Sequence, residues 1–254
     1  SFPRFEMLST WLYTIVSVLL VSIVSFLGII SLSIKAEKLK KILIYLISFS
    51  AGALFADAFL HLLPEISEDG LKLNSALLIL VGIVIFFSIE KFIHWQHCHM
   101  PITKDHVHPF AIMNLIGDGL HNFLDGLIIG AGYLLSIPAG IATTIAVLIH
   151  EIPQEIGDFS ILIHGGFSKA KALLLNFLSA IVAILGGILA LVLNSRIENI
   201  ALIIAPLAIG GFIYIAGSDL IPELHKESTA KKSIIQLICF IIGIILIGSL
   251  LFLE

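Results

Sequence analysis

The sequence predicts an all-α membrane protein with eight transmembrane helices, from its composition, its long apolar runs and the distribution of its charges. Of the 254 residues, 58% are hydrophobic and 13% are charged, and the mean hydropathy is +1.09. Soluble domains carry about 25% charged residues. The composition therefore excludes a soluble enzyme and a disordered chain, and a net charge of −4 argues against binding nucleic acid. Two cysteines, Cys98 and Cys239, are too few for a disulfide scaffold.

Eight apolar runs are each long enough to cross about 30 Å of hydrocarbon as a helix, with flanking residues helping the shortest. They lack the period-two alternation of a barrel strand, so helices are predicted. Together they form a single transmembrane domain over residues 1–254. The predicted spans are approximately 8–34, 42–64, 73–93, 109–135, 137–163, 172–195, 199–221 and 233–253.

Basic residues predict the orientation of these spans. Eleven of the 14 lysines and arginines lie in the connections between helices 1 and 2, 3 and 4, 5 and 6, and 7 and 8. The termini and the other connections hold Arg4, Lys72 and Arg196. Cytoplasmic loops are enriched in lysine and arginine, so both termini are expected outside. The sequence thus predicts a multi-pass integral protein, with the cell membrane as its expected location.

Two segments of the chain resemble each other and suggest an inverted repeat. Gly52–Glu65 closes the second helix and Gly210–Glu223 closes the seventh, and both end in Pro-Glu. The predicted orientation runs the second helix outward and the seventh inward. Helices 1–3 and 6–8 would then form an inverted repeat around helices 4 and 5, as in secondary transporters with a site near the midplane. The alternative is that Pro-Glu simply marks two helix ends.

Acidic residues are concentrated in the fourth and fifth predicted helices. The stretch between Lys104 and Lys169 contains no lysine or arginine. Within the two predicted helices, this stretch carries the carboxylates Asp118, Asp125, Glu151, Glu155 and Asp158. A charged carboxylate at mid-bilayer costs about 2.5–3.5 kcal/mol. Because the same segments also supply metal ligands, a bound cation is the simplest compensation.

Helical spacing places the polar side chains of these two helices on common faces. Positions 118, 121, 122 and 125 follow the i, i+3, i+4, i+7 pattern, and positions 150, 151, 154, 155 and 158 form i, i+4 pairs. A connection near Ser136 and Ile137 is so short that the helices are expected to be antiparallel neighbours. Pro153 should free a backbone carbonyl and lend the site an additional oxygen. Imidazole, carboxylate and amide groups without thiolate indicate moderate affinity for a divalent ion.

Some of these polar residues also have structural explanations. Asp118 and Asp158 lie at helix flanks, where they would serve as caps or as entrance residues of a pathway. Asn176 is the strongly polar side chain in the middle of the sixth helix, where interhelical hydrogen bonding is its simplest role. His61 taken alone is equally explained by a bond to a neighbouring carbonyl.

Two motifs carry a resemblance to a known family. The fourth helix contains HNFLDG from His121, and the fifth contains HEIPQEIGDF from His150. With eight spans, these motifs resemble the ZIP (Zrt-, Irt-like protein) family of divalent-metal transporters, in particular the branch with HExPHE in the fifth helix. The resemblance covers essentially the whole chain. It implies import of Zn²⁺, and less specifically of Cd²⁺, Fe²⁺ or Mn²⁺, into the cytoplasm.

The resemblance further implies a binuclear metal centre between the fourth and fifth helices. The ligands implied for the first metal are His121, Asp125, His150 and Gln154. Those implied for the second are Asn122, Glu151 and Asn176, with Asp125 or Gln154 as a bridge and Glu155 as a further member of the motif. The residues expected along the pathway are Asp57, His61, Asp118, Asp158, Asp219 and Glu223.

One position departs from the pattern of this branch. The second histidine of HExPHE is Gln154 here, a neutral and weaker ligand, which predicts lower affinity or broader selectivity at the first metal. The first histidine, His150, is present, whereas members favouring manganese or iron usually carry glutamate there. Zinc is therefore the expected substrate. A homodimer is compatible with the family, although no GxxxG face requires it.

The connection between the third and fourth helices is rich in metal-binding side chains. Residues 96–108 form a predicted cytoplasmic histidine-rich loop. This loop and the helix end before it hold His94, His97, Cys98, His99, His106 and His108. Such spacing suits a labile site that collects zinc leaving the pathway. The alternative is a short loop that happens to be rich in histidine.

An intramembrane metal-dependent hydrolase is the alternative function, because His150-Glu151 resembles the start of an HExxH zinc motif. That motif requires a second histidine at position 154 to hold zinc on the same helix face, and Gln154 stands there. Pro153 would also disturb the helix that such enzymes use. The prediction is a transporter and not an enzyme.

Overall fold

The computed structural model describes residues 4–32, 36–67, 70–94, 109–197, 199–225 and 229–253. Every regular element in these residues is helical, which confirms the predicted all-α class. The α-helices, numbered along the chain, are α1 (Arg4–Val24), α2 (Ala36–Ala56), α3 (Leu73–His94), α4 (Pro109–Leu135), α5 (Ile137–His164), α6 (Lys169–Ala180 and Val182–Asn194), α7 (Ala201–Tyr214) and α8 (Ala230–Ser249).

Six of the described helices are long and apolar enough to cross a membrane. The other two, α4 and α5, span 27 and 28 residues and carry the polar side chains predicted to bind the ion. α3 and α8 expose large apolar side chains along their outer faces, for example Leu80 and Ile245. Surfaces of this kind are stable against lipid rather than water. The chain is an integral, multi-pass membrane protein.

α4 and α6 cross so closely that glycine is required at two points. A Cβ atom at Gly126 would lie 1.8 Å from the carbonyl oxygen of Ala183, and one at Gly186 would lie 2.0 Å from that of Phe123. Small residues allow membrane helices to pack backbone against backbone. This crossing brings α6, which carries Asn176, against the polar face of α4.

The two halves of the chain share packing that is expected of an inverted repeat. α2 meets α8 at Gly52, where a Cβ would lie 2.1 Å from the carbonyl oxygen of Phe240. α7 meets α3 at Gly210, where a Cβ would lie 2.1 Å from the carbonyl oxygen of Ile79. Gly52 and Gly210 are also the first residues of the two similar segments in the sequence.

A π-helix follows each of these two glycines. α2 continues through the π-helix Asp57–Leu62 into the short helix Leu63–Glu65, and α7 continues through the π-helix Ile215–Leu220 into Ile221–His225. π-helical turns are rare and are frequent at functional sites. Their matching positions support the predicted repeat between helices 1–3 and 6–8.

α5 lies antiparallel beside α4, because Ser136 alone connects the two helices. The Ser136 hydroxyl caps α5 by accepting a hydrogen bond from the Ala139 amide at 3.1 Å. Pro153 lies inside α5, and the Ile149 carbonyl one turn earlier accepts a hydrogen bond from Ser50 Oγ of α2 at 2.9 Å. The carbonyl expected to serve the metal is instead used to join α5 to α2.

Candidate metal site

Four of the predicted ligands come together where α4 and α5 face each other. They are His121, Asp125, His150 and Glu151, and one ligand atom from each lies within 4.8 Å of the other three. Asp125, His150 and Glu151 are buried, whereas His121 is half-buried. In the part of the chain that the structure describes, no other group of histidine, cysteine and acidic residues has this geometry.

The spacing of these ligand atoms suits a tetrahedral ion. His150 Nε2 lies 3.1 Å from His121 Nε2 and 3.1 Å from Asp125 Oδ2. Glu151 Oε1 lies 3.4 Å from the Nε2 atom of each histidine, and Asp125 Oδ2 lies 3.6 Å from His121 Nε2. Zinc bonds to nitrogen and oxygen are about 2.0–2.2 Å long, so tetrahedral ligand atoms are about 3.3 Å apart. An ion at the centre would therefore need little rearrangement.

The imidazole rings are held in orientations suited to binding a metal. His150 Nδ1 lies 3.2 Å from the Ala146 carbonyl oxygen, which accepts the ring proton and leaves Nε2 unprotonated in the neutral ring. The rings of Phe86 and Phe212 contact His121 and His150, respectively, with centroids 6.4 Å apart in each pair. Both Nε2 atoms consequently point to the same centre.

The carboxylates of Asp125 and Glu151 have no hydrogen-bond donor within the described ranges. All four of their oxygens are buried without a hydrogen-bond partner among the described residues. Buried carboxylates are costly unless they are paired with a cation or with hydrogen-bond donors. Two histidines alone offer few protons for this purpose. The donor set therefore fits a divalent cation.

A second group of oxygen atoms lies where α4, α5 and α6 meet. Asn176 Nδ2 donates to Glu155 Oε2 at 2.5 Å and to the Ser25 carbonyl at 3.3 Å. Ser25 begins the 3₁₀-helix Ser25–Leu32 that continues α1. Asn176 Oδ1, Asn122 Oδ1 and Glu155 Oε1 are buried without a hydrogen-bond partner in the described ranges. Amide and carboxylate oxygens of this kind are ligands for hard divalent ions.

A cavity of about 250 Å³ opens beside His121. It is bounded by the N-terminal half of α4 and the C-terminal half of α5, together with residues of α3, α7 and the π-helix after α7. Its polar lining consists of Glu90, Asn114, Asp118, His121, Gln154, Asp158 and Tyr214. Gln154, predicted as a ligand of the first metal, is half-buried in this wall. The fourth member of the group, beside His121, Asp125 and His150, is Glu151.

Asp57 and His61 are buried in the π-helix Asp57–Leu62 that continues α2. His61 Nδ1 lies 3.9 Å from Asp57 Oδ1. None of the side-chain polar atoms of these two residues has a hydrogen-bond partner in the described part of the chain. Their position suits the predicted pathway.

The remaining predicted residues are only partly described. The backbone of Asp219 lies in the π-helix after α7, and that of Glu223 lies in the helix Ile221–His225. His94 is the last residue of α3. The side chains of these three residues are not among those that the structure describes. The other predicted ligands of the histidine-rich loop all lie outside the described residues: His97, Cys98, His99, His106 and His108.

Sequence reasoning missed several residues that surround the site. Asn114 Nδ2 donates to Asp158 Oδ1 at 2.9 Å, and Ser179 Oγ donates to Asp118 Oδ2 at 2.5 Å. Asn114 precedes Asp118 by one helical turn and Ser179 follows Asn176 by one turn, so helical spacing would have found both. Tyr214 donates to Glu90 across α7 and α3, and no local pattern links these two residues.

Comparison with known proteins identifies the family to which this chain is related. The model of the family described as ZIP zinc transporter matches residues 8–110 and 99–251. Zinc transporter zipt-7.2 of Caenorhabditis elegans is 30% identical over 298 residues, which cover 93% of this chain and 64% of that protein.

Two vertebrate proteins are similarly related. Zinc transporter ZIP13 of Pongo abelii is 30% identical over 262 residues, 94% of this chain and 78% of its own length. Zinc transporter SLC39A7 of Homo sapiens is 27% identical over 340 residues, 98% of this chain and 72% of its own length. The match to the family model along nearly the whole chain carries the assignment: the chain belongs to the ZIP zinc transporter family.

Proposed function

We propose that this protein imports Zn²⁺ into the cytoplasm through a binuclear metal site between α4 and α5. The observation that carries the proposal is the group formed by His121, Asp125, His150 and Glu151, whose two buried carboxylates have no hydrogen-bond donor among the described residues. Zinc is the substrate, and Cd²⁺, Fe²⁺ and Mn²⁺ are its expected competitors. Imidazole and carboxylate ligands without thiolate allow the ion to leave again.

The first metal binds His121, Asp125 and His150, with Glu151 close enough to complete the group and Gln154 in the adjacent cavity wall. The observed distances between the ligand atoms, 3.1 to 3.6 Å for five of the six pairs, support this ligand set. Asp125 and Glu151 each have a second oxygen without a donor among the described residues. Both carboxylates are therefore suited to bridging two ions.

The second metal binds the oxygen atoms of Asn122, Asn176 and Glu155, together with a bridging oxygen from Glu151 or Asp125. The buried oxygens without hydrogen-bond partners on these side chains support the assignment. An oxygen-rich second position would bind ions less selectively than the first, which contains two imidazoles. In this proposal, the ion passes both metal positions on its way between the buried pair Asp57 and His61 and the cavity beside His121.

The direction of transport is inferred from the cavity and the basic residues. The cavity lies at the ends of α3, α4 and α5 that adjoin the lysine-rich connections, which the positive-inside rule assigns to the cytoplasm. Asp57 and His61 do not line this cavity among the described residues and are buried in the π-helix after α2. The protein is thus inward-facing, with both termini outside and the cell membrane as its proposed location. Rocking of helices 1–3 and 6–8 would open the outer side.

A hydrolase is not favoured, because zinc transporters are not enzymes and this chain belongs to their family. A zinc hydrolase would need the motif HExxH in α5, and Gln154 stands at the position of its second histidine. We further propose that two copies of this protein assemble as a homodimer.

Cysteine labelling tests the inward-facing state. In a background with Cys98→Ser and Cys239→Ser, Asn114→Cys lies in the cavity wall and Thr143→Cys replaces a fully buried residue of α5. A membrane-impermeant thiol reagent is expected to modify position 114 in inside-out vesicles and not in intact cells. Position 143 is the control and should be protected in both. Modification of position 114 only from outside would reverse the proposed orientation.

The function itself is tested by uptake into proteoliposomes that contain the purified protein. Time-dependent accumulation of Zn²⁺ above protein-free liposomes is expected, with competition by Cd²⁺, Fe²⁺ and Mn²⁺ measured in the same assay. If the protein binds Zn²⁺ tightly but moves none of these ions, the transport proposal is wrong and a sensor becomes the better explanation.

A further inference from the structure

Asp118 differs from the other acidic residues near the site because both of its carboxylate oxygens accept hydrogen bonds. Asn122 Nδ2 donates to Oδ1 at 2.8 Å, and Ser179 Oγ donates to Oδ2 at 2.5 Å. By contrast, the four carboxylate oxygens of Asp125 and Glu151 have no donors among the described residues. A carboxylate that is already satisfied is poorly suited to binding a passing ion.

The contacts of Asp118 determine which way the Asn122 amide faces. Asn122 Nδ2 donates to the Asp118 backbone carbonyl at 3.1 Å as well as to Oδ1, so both of its protons are used. A flipped amide would place the Asn122 oxygen against these two acceptors, which is repulsive. Asn122 Oδ1 must therefore point the other way, where it is buried without a donor in the described residues.

Ser179 ties this arrangement to α6, the helix that supplies Asn176. Ser179 lies one turn after Asn176, and α6 packs against α4 through Gly126 and Gly186. The amide of Asn176 is held in the same way, with Nδ2 donating twice and Oδ1 left without a described donor. The orientations of Asn122 Oδ1 and Asn176 Oδ1 are consequently fixed by the acceptors that bind the Nδ2 atom of each amide.

We propose that Asp118 is a positioning residue: with Ser179 it orients the Asn122 amide so that Oδ1 serves as a ligand of the second metal. This inference rests on the proposed binuclear site. It gives Asp118 a role different from that of the cap or pathway residue that the sequence predicts. The negative charge of Asp118 is not itself required, since the role needs an acceptor facing Asn122 and an acceptor or donor facing Ser179.

This role predicts different outcomes for two substitutions of Asp118. In Asp118→Asn, the amide oxygen accepts from Asn122 and the amide nitrogen donates to Ser179 Oγ, so the arrangement is kept. In Asp118→Ala, the Asn122 amide loses its side-chain acceptor and keeps only the backbone carbonyl of residue 118, so its orientation is less restricted. Loss of a residue that orients a ligand typically costs 10- to 100-fold in metal affinity or activity.

The experiment measures bound zinc per chain in purified protein by elemental analysis, together with KM and maximal rate of Zn²⁺ uptake. Wild type should bind two zinc ions per chain. Asp118→Ala should bind one and raise KM by about 10- to 100-fold. Asp118→Asn should recover the second ion and most of the KM change. Ser22→Ala is the matched control, because Ser22 Oγ donates to the Ala180 carbonyl of α6 at 3.0 Å and to the Val18 carbonyl of α1 at 2.9 Å, neither of which is a proposed ligand.

A reciprocal exchange keeps the proposal testable if Asp118→Ala does not fold. Asn122→Asp alone sets two carboxylates against each other and should lose the second zinc ion. Adding Asp118→Asn restores a donor and an acceptor between the two side chains with their direction reversed. Because the backbone carbonyl of residue 118 still loses its donor, the exchanged pair should recover part of the binding of that ion.

The outcomes separate this inference from the proposed function. Equal losses in Asp118→Asn and Asp118→Ala would show that the charge matters, and no recovery in the exchanged pair would also overturn the positioning role. Wild-type uptake with normal metal content in Asp118→Ala would overturn it as well. Absence of uptake in the wild type would instead reject the transport proposal.

Discussion

His150→Ala is expected to lower Zn²⁺ uptake by more than about 100-fold, because losing residues that merely orient ligands already costs 10- to 100-fold. His150 Nε2 lies within 3.4 Å of ligand atoms from His121, Asp125 and Glu151. Its removal leaves two buried carboxylates facing a single imidazole. Uptake into proteoliposomes and zinc content per chain are the measurements that check this expectation.

The control for this variant is His225→Ala, which removes an exposed histidine at the end of the helix Ile221–His225. It should transport zinc at the wild-type rate. Both variants should insert into membranes in equal amounts, because neither change removes an apolar surface. Wild-type uptake by His150→Ala would contradict the assignment of the site to α4 and α5.

Gly186→Ala is expected to lower the free energy of unfolding by about 3 kcal/mol, at the upper end of the usual cost of overpacking. A Cβ atom there would lie 2.0 Å from the Phe123 carbonyl oxygen and 2.7 Å from the Leu127 nitrogen. Both atoms are backbone, so α4 and α6 must separate to admit the methyl group. For a chain of this size the midpoint of thermal unfolding should fall by roughly 6 to 12 °C.

Gly157→Ala in α5 is the matched control, because no side chain or backbone atom from the other described elements lies within 4 Å of the position of its Cβ. Thermal unfolding in detergent is the measurement for both variants, followed by zinc uptake at low temperature. Gly157→Ala should leave the midpoint unchanged or raise it, since alanine favours helix over glycine. An unchanged midpoint in Gly186→Ala would show that α4 and α6 do not depend on this close contact.

Much of the fold is readable from local patterns in the sequence. The absence of charge along runs such as 8–34 and 172–195 predicts membrane helices, because an apolar helix satisfies its own backbone in lipid. Helical spacing likewise places His121 and Asp125 on one face and identifies the polar face of α5. These inferences succeed because they depend on residues within one or two turns of each other.

Contacts between different helices required the tertiary structure. Glu151 joins the group of His121 and His150, whereas Gln154 lies in the cavity wall, and spacing alone does not distinguish these positions. The carbonyl freed by Pro153 bonds Ser50 of α2 rather than serving the metal, which is a contact across 99 residues of sequence. Sequence spacing does not specify which neighbour a freed backbone group meets.

The sequence by itself therefore determined the helical class, the polar faces of α4 and α5 and the residue types that suit a divalent ion. The tertiary structure decided which of those residues share one centre and which of them, such as Asp118, accept hydrogen bonds from neighbouring side chains. The physical reason lies in the helix crossings. The rotation and separation of neighbouring helices depend on close backbone contacts, such as those at Gly126 and Gly186. A shift of one residue along a helix would rotate a ligand side chain away from its partner.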